Sequence, residues 1–358
     1  YPPIQSINLF SNCKIMEQVI LRQPYRAALA PVGSFYTPYE EIPSSMEVTA
    51  LNKPRNFIEA NTQEVSLEHL KNDCIVPVFS KDNEVTISHS HFIESLQECT
   101  HKLFKHEQIK EPEIRVSHII KGRTPDAIYK PVKELTEADK TIYYERMAFC
   151  IEIPSITETI AGNTLSLTVG GVRAYNQENL YSKKGIEKFK VFIGFRNLVC
   201  CNLCVSTDGY CDEMRVSSVN DLVVKTIELF ARYNASQHLK QMERLPGYTL
   251  TESQFAQLIG KARLYQYLPV QEKKQLPEFE FTDTHMNVIA KNFYRDDNFS
   301  YSPAEKNISM WSIFNLFTEA NKCSYIDTFL SRSVGATHFT QGICDALDGK
   351  DGYGWFVE

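Results

Sequence analysis

The sequence predicts an α+β protein, a central antiparallel sheet packed with helices and followed by a mostly helical C-terminal part. Three observations carry this expectation. Period-two alternation of apolar and polar residues, which marks a strand with one buried face, is concentrated between Ile114 and Arg196. Apolar residues spaced by three and four, which mark an amphipathic helix, dominate after Ser218. Strands gathered in the middle with helices after them do not alternate, which argues against a parallel βαβ sheet.

Composition bounds the answer further. At 358 residues and 43% hydrophobic content the chain can bury a real core as one large domain or two ordinary ones. Its 38 Lys and Arg against 44 Asp and Glu give a net charge of −6, which excludes a molecule whose whole surface attracts polyanions. No apolar run approaches the roughly 18 residues of a membrane-spanning helix, and no charged segment leads into an apolar one at the N-terminus, so a cytoplasmic location is expected. Ten cysteines without an export signal read as free thiols rather than a disulfide framework.

Tyr1 to Ile15 has no clear periodicity, and the more ordinary coding stretch opens at Met16. The residues before it read as upstream read-through or the cut end of a fragment. From Met16 to about Arg55, Pro24, Pro31, Pro38, Pro43 and Pro54 interrupt every candidate helix, since proline lacks the N–H and crowds the preceding turn. Residues 1–55 are therefore expected to form an irregular arm, 56–245 the α+β core and 246–358 a helical region.

Within the core, Ser66 caps a short helix, and Cys74 to Phe79 is a short extended run ending at Lys81-Asp82-Asn83. Ser88 caps a helix through about Lys105 with Phe92, Leu96, Cys99 and Leu103 on one face. Ile114 to Lys121 alternates as one strand, and Gly122 to Lys140 is a loop with a helical turn. Tyr143 to Ile153 is a long strand that turns at Gly162-Asn163 into Leu165, Leu167 and Val169. Gly170-Gly171 reads as a bulge or bend at the end of that strand, since neither phosphate-binding nor dinucleotide-binding spacing surrounds it. From Lys188 to Arg196, Phe189, Val191, Ile193 and Phe195 point one way, and Lys190, Phe192 and Arg196 the other. Ser218 with Asp221 opens a long helix to about Glu243, Thr251 with Gln254 opens another to about Leu268, and helical patterns follow at Asp283 to Tyr294 and Met310 to Leu330.

The densest cationic stretch supplies the candidate site. Arg173, Lys183, Lys184, Lys188, Lys190 and Arg196 stand against Glu178 and Glu187, six minus two or +4, in a chain of −6. Tyr175, Tyr181 and Phe192 lie among them, and a basic groove with interleaved rings suits single-stranded nucleic acid, with cations on phosphates and bases stacked on rings. A solvated sheet face would carry the same composition. Cys201, Cys204 and Cys211 offer thiolates to a zinc ion, but no second C-x-x-C and no nearby histidine completes four ligands, so buried thiols are the preferred reading. No G-x-S-x-G and no H-E-x-x-H occurs, so neither enzymatic activity nor a cofactor is expected.

Several phrases resemble a known family. Phe57-Ile58-Glu59-Ala60-Asn61, Pro77 to Asn83, Tyr143-Tyr144-Glu145-Arg146-Met147, Gly170 to Tyr175, Gly194 to Cys204, Ala256 to Gly260 and Asn315-Leu316-Phe317-Thr318 resemble the bacterial domain of unknown function family 3871. Gly194-Phe195-Arg196 with Val199-Cys200 and Asn202 is more weakly similar to the phage/plasmid-like family of unknown function 932. The resemblance carries over no catalytic residue. Its members, found in gut anaerobes and commonly in mobile or phage-like neighbourhoods, imply a role in replication or recombination of a mobile element, here by contact with single-stranded nucleic acid. The competing expectation is a protein-interaction module whose C-terminal helices dock a host or phage partner.

Overall fold

The computed structural model describes residues 55–74, 86–124, 127, 129–177, 186–350 and 352–358. The expected N-terminal arm up to residue 54, most of the run from Cys74 to Phe79, and Tyr181, Lys183 and Lys184 lie outside the described residues.

The architecture is α+β, with a curled antiparallel sheet at its centre. A short β1 (Gln63–Glu64) and α1 (Leu67–Asn72) precede α2 (His89–Leu103), and the Ser66 and Ser88 hydroxyls accept the N–H of His69 and His91 as N-caps. The alternation expected as one strand from Ile114 divides into β2 (Glu113–Val116) and β3 (Ile119–Arg123). The long strand likewise divides into β4 (Lys140–Tyr144) and β5 (Arg146–Ile160). The shared reason is that β3 and β4 pair with each other in a separate ribbon, so both chains leave the main sheet together.

β6 (Asn163–Ala174), β7 (Glu187–Asn197), β8 (Leu203–Cys204) and β9 (Tyr210–Val216) complete a seven-stranded sheet in the order β1-β2-β5-β6-β7-β8, with β9 also paired to β7. The β5–β6 register slips between Ile153 and Thr157, where Pro154 has no N–H to give the ladder. The hairpin turn falls one residue earlier than expected. Ile160 pairs with Asn163, so Ala161 and Gly162 form the loop, with φ of 46° and 78°. Positive φ at both loop positions matches strand twist but strains an alanine. Ala161→Asn is expected to raise stability by about 0.5–1 kcal/mol, read as a higher thermal midpoint.

Gly170 and Gly171 lie inside β6, not at its end, and no register slip occurs there. Their role is close approach: a Cβ on Gly171 would lie 2.5 Å from the Phe92 ring and one on Gly170 would lie 2.8 Å from the Phe192 ring. The two glycines admit a phenyl ring on each face of the sheet.

Helices follow the sheet. The expected single helix from Ser218 to Glu243 is two, α3 (Val219–Arg232) and α4 (Ala235–Arg244). Asn234 breaks it, capping α4 through the Gln237 N–H while its own N–H donates to Asp208 at 2.8 Å. β10 (Thr249–Thr251), α5 (Glu252–Tyr265), α6 (Val270–Lys273) and α7 (Asp283–Arg295) lead to β11 (Asn307–Ser309), which pairs with β10. α8 (Met310–Asn321) and α9 (Ile326–Leu347) replace the single pattern expected to end at Leu330.

The sheet is covered on both faces. Phe189, Val191, Ile193 and Phe195 of β7 join a large core with Phe92 of α2, Phe230 of α3, Phe314 of α8 and Phe339 of α9. On the opposite face Phe192, Val172, Ala148 and Cys150 pack under Ile326, Phe329, Leu330 and Val334 from the first half of α9, with Phe57 and Ile58. α9 suits this seat because Ser333 and Thr340 return their hydroxyl hydrogens to the Phe329 and Ala336 carbonyls in the preceding turn, while the Thr337 hydroxyl donates to the Val205 carbonyl at 2.8 Å.

Candidate interaction surface

The cations assigned from sequence to a nucleic-acid groove sit in different environments. Arg173 is fully buried, its guanidinium 4.5 Å and 4.4 Å from the Tyr175 and Phe189 ring centroids, and it pairs with Glu187. The Glu187 carboxylate also accepts the Ile87 N–H at 3.0 Å. Tyr175 is buried and stacks on His89, and Phe192 is buried beneath α9. Arg196 is buried, with Nη1 2.7 Å from Glu113 of β2. At the β7–β9 edge Lys190 pairs with Asp212 at 2.8 Å and Lys188 with Glu213 at 2.6 Å. Lys188, and then Arg215, hold the Glu213 carboxyl below its usual range. Each described cation of this set therefore has a carboxylate partner on another strand of the sheet. Only Arg173 and Tyr175 are brought together as cation and ring, and they meet inside the molecule.

An open apolar face lies elsewhere. α5 buries Phe255, Leu258, Ala262 and Tyr265 along one stripe, which leaves Leu264 on the outer side of the helix. Leu264 is 58% exposed, Tyr267 75% and Val270 67%, three large apolar side chains within seven residues at the α5–α6 junction. The Tyr267 hydroxyl donates to Asp283 of α7 at 3.2 Å, and Arg263 meets the same carboxylate at 3.1 Å, so the tyrosine is held in place at a charged edge. The sequence carries a signal for this face that the core-directed reading passed over. Leu264 falls out of phase with the buried stripe, and Pro269 then keeps the next apolar residue outside any helix interior.

The cysteine cluster is a sewn corner of the fold. Cys200 and Cys204 are buried, and burial pushes the Cys200 thiol up to about 12 and Cys204 well above its ordinary value. Cys201 turns the chain at φ 61°. Among the described residues no group of three or more His, Cys, Asp or Glu is placed to hold a metal ion. Three buried asparagines fasten this turn to α8. The Asn197 amide donates to Asn315 Oδ1 at 3.1 Å, the Asn202 amide to the Asn315 carbonyl at 3.0 Å, and the Asn315 amide to the Trp311 carbonyl at 2.9 Å. Lys322, also buried, donates to the Cys200 carbonyl and meets Glu319 at 2.8 Å. Asn315→Leu keeps the volume but strands the Asn197 amide, and is expected to cost about 2–3 kcal/mol in urea unfolding.

Residues 40–357 match the family model described as a domain of unknown function, B. Theta Gene description (DUF3871). The chain belongs to this family. No curated protein and no solved structure matches it. In this DUF3871 chain, two of the phrases that carry the resemblance, Gly194 to Cys204 and Asn315 to Thr318, are the two sides of the asparagine stitch. Their residues pack against and hydrogen-bond to one another.

Proposed function

We propose that the protein acts by docking another protein on the α5–α6 face. The observation that carries this reading is the exposure of Leu264, Tyr267 and Val270 at three-residue intervals, with a charged Arg263–Asp283 pair beside Leu264 in the chain. An aromatic anchor with aliphatic neighbours and a polar rim is the anatomy of a protein–protein contact, and charge-poor centres with tyrosine concentrate its energy. The occupant is a partner offering an apolar segment, because the three side chains carry no charge to attract anything else.

The second reading is contact with single-stranded nucleic acid in the replication or recombination of a mobile element. One feature favours it, the +4 of residues 173–197, of which Lys183 and Lys184 beside Tyr181 remain after the paired cations are set aside. One experiment separates the two. Tagged protein and the variant Leu264→Asp with Val270→Asp are used to capture partners from nuclease-treated lysate of the source cells, and both are titrated against a labelled single-stranded oligonucleotide. The expected result is a defined protein retained by the native chain and lost from a variant that melts normally. Equal capture by both overturns docking. Oligonucleotide binding that weakens steeply between about 50 and 200 mM salt, and that Lys183→Glu with Lys184→Glu abolishes, establishes the second reading instead.

A further inference from the structure

A cleft remote from the α5–α6 face opens where the turn between β8 and β9 meets α4 and α9. Its volume is about 390 Å³, within the range of small-molecule sites. The turn contributes Thr207 and Asp208, α4 contributes Gln237 and Gln241, and α9 contributes His338 and Gln341. Tyr353 closes the far side. Its ring packs on Gly342 so closely that a Cβ there would lie 2.2 Å from the ring, so glycine is required for the ring to stand where it does.

Of the two carboxylates in this lining, one is neutralised by cations and the other is held by neutral donors. Asp345 is bridged by Arg244 and Lys350, each at 2.8 Å, and Asp208 accepts the Ser206 hydroxyl at 2.6 Å and the Asn234 N–H at 2.8 Å. Among the described residues no lysine or arginine lines the cleft, and Arg244 and Lys350 beside it are engaged by Asp345, so a phosphate or carboxylate ligand would meet no uncommitted counter-charge from them. What the walls offer is neutral hydrogen bonding. Gln237 and Gln241 supply side-chain amides, each with donors and an acceptor in one plane, while the Gln341 amide donates to the Gln241 carbonyl and the Thr207 hydroxyl is hydrogen-bonded to the His338 ring. The Tyr353 ring provides the phenolic wall.

We infer that the cleft binds a neutral saccharide ring. Adjacent sugar hydroxyls each donate and accept, which matches planar amides better than it matches isolated charges, and the C–H face of a pyranose fits against one aromatic ring. The inference is independent of protein docking at α5–α6, since the two sites share no residue.

The test is saturation-transfer NMR followed by calorimetry with glucose, galactose, mannose, N-acetylglucosamine and ribose, and with glucose 6-phosphate as the charged control. At least one neutral sugar is expected to bind saturably with Kd between about 10 µM and 1 mM. Gln237→Leu, an exposed position outside the core, should weaken it at least about tenfold while leaving the melting temperature unchanged, and Tyr353→Leu should do the same to affinity. Methyl glycosides of the bound sugar distinguish a free monosaccharide, whose anomeric hydroxyl is held, from the terminal unit of a longer glycan, which the methyl group leaves unaffected. The inference is overturned if no sugar in the panel saturates, if Gln237→Leu binds within about twofold of the native chain, or if glucose 6-phosphate binds more tightly than glucose.

Discussion

Arg173→Met is expected to destabilise the protein by about 3–5 kcal/mol, measured as a shift of the urea midpoint at constant slope. The guanidinium is fully buried between the Tyr175 and Phe189 rings, with Glu187 opposite. Removing it takes from the largely buried Glu187 carboxylate the cation it pairs with, and breaking such a pair by deleting one member costs more than the pair contributes. The companion variant separates charge from packing. Glu187→Gln keeps the shape but removes the carboxylate charge that Arg173 pairs with, and should lose a similar amount. In Arg173→Met with Glu187→Gln neither charge of the pair remains, so the double variant should recover most of the loss. Simple addition of the two single losses would refute this account, because it would mean that the two side chains contribute independently.

The same arginine shows what the sequence could and could not reveal. Alternation along β7 correctly separates Phe189, Val191, Ile193 and Phe195 from Lys190, Phe192 and Arg196, because a strand has only two faces. Alternation does not say what lies over either face. The side carrying charge was expected to meet solvent, yet the first half of α9 covers Phe192 there. That half of α9 contains Ser331, Ser333, Gly335 and Thr337, which weaken an amphipathic signal, and the helix continues well beyond Leu330. Caps were legible because they are local: Ser66, Ser88, Ser218 and Thr251 each accept the N–H they were expected to accept. The partners of the cations were not, because Glu113, Asp212 and Glu213 arrive on strands distant in sequence or across a register that no window displays. The exposed trio on α5 and α6 was legible in principle, since a leucine out of phase with its own helix stripe needs only the period to be seen.

Acidification from pH 7 to 4.5 is expected to destabilise the protein strongly, beginning above the pH at which carboxylates titrate. Three histidines are buried and held neutral. His89 is pushed down to about 3 by burial and then by Arg173, and its Nε2–H donates to the Tyr144 carbonyl at 2.8 Å. His238 is pushed down to about 4 by burial, against an opposing pull from Asp208, and accepts the Tyr233 hydroxyl at 2.8 Å. His285 is pushed down to about 4 by burial and then by Arg332, and its Nδ1 accepts the Thr282 N–H at 3.1 Å. In the unfolded chain all three titrate near 6.5. Below that pH the unfolded state therefore binds protons that the folded state refuses, so stability is complete above about 6.5 and falls with pH until each folded value is passed. Three protons taken up together give a limiting slope of about 4 kcal/mol per pH unit, against a total stability of about 5–15 kcal/mol for a typical domain. Thermal midpoints at half-unit steps from pH 7.5 to 4.5 should show a steep decline. His285→Gln, which keeps a polar side chain at that site, should lower the slope by about one third, since one of the three protons no longer differs between the states. A flat profile over that window, or a midpoint that rises on acidification, would mean that the imidazoles become charged within the fold and that burial does not hold them neutral.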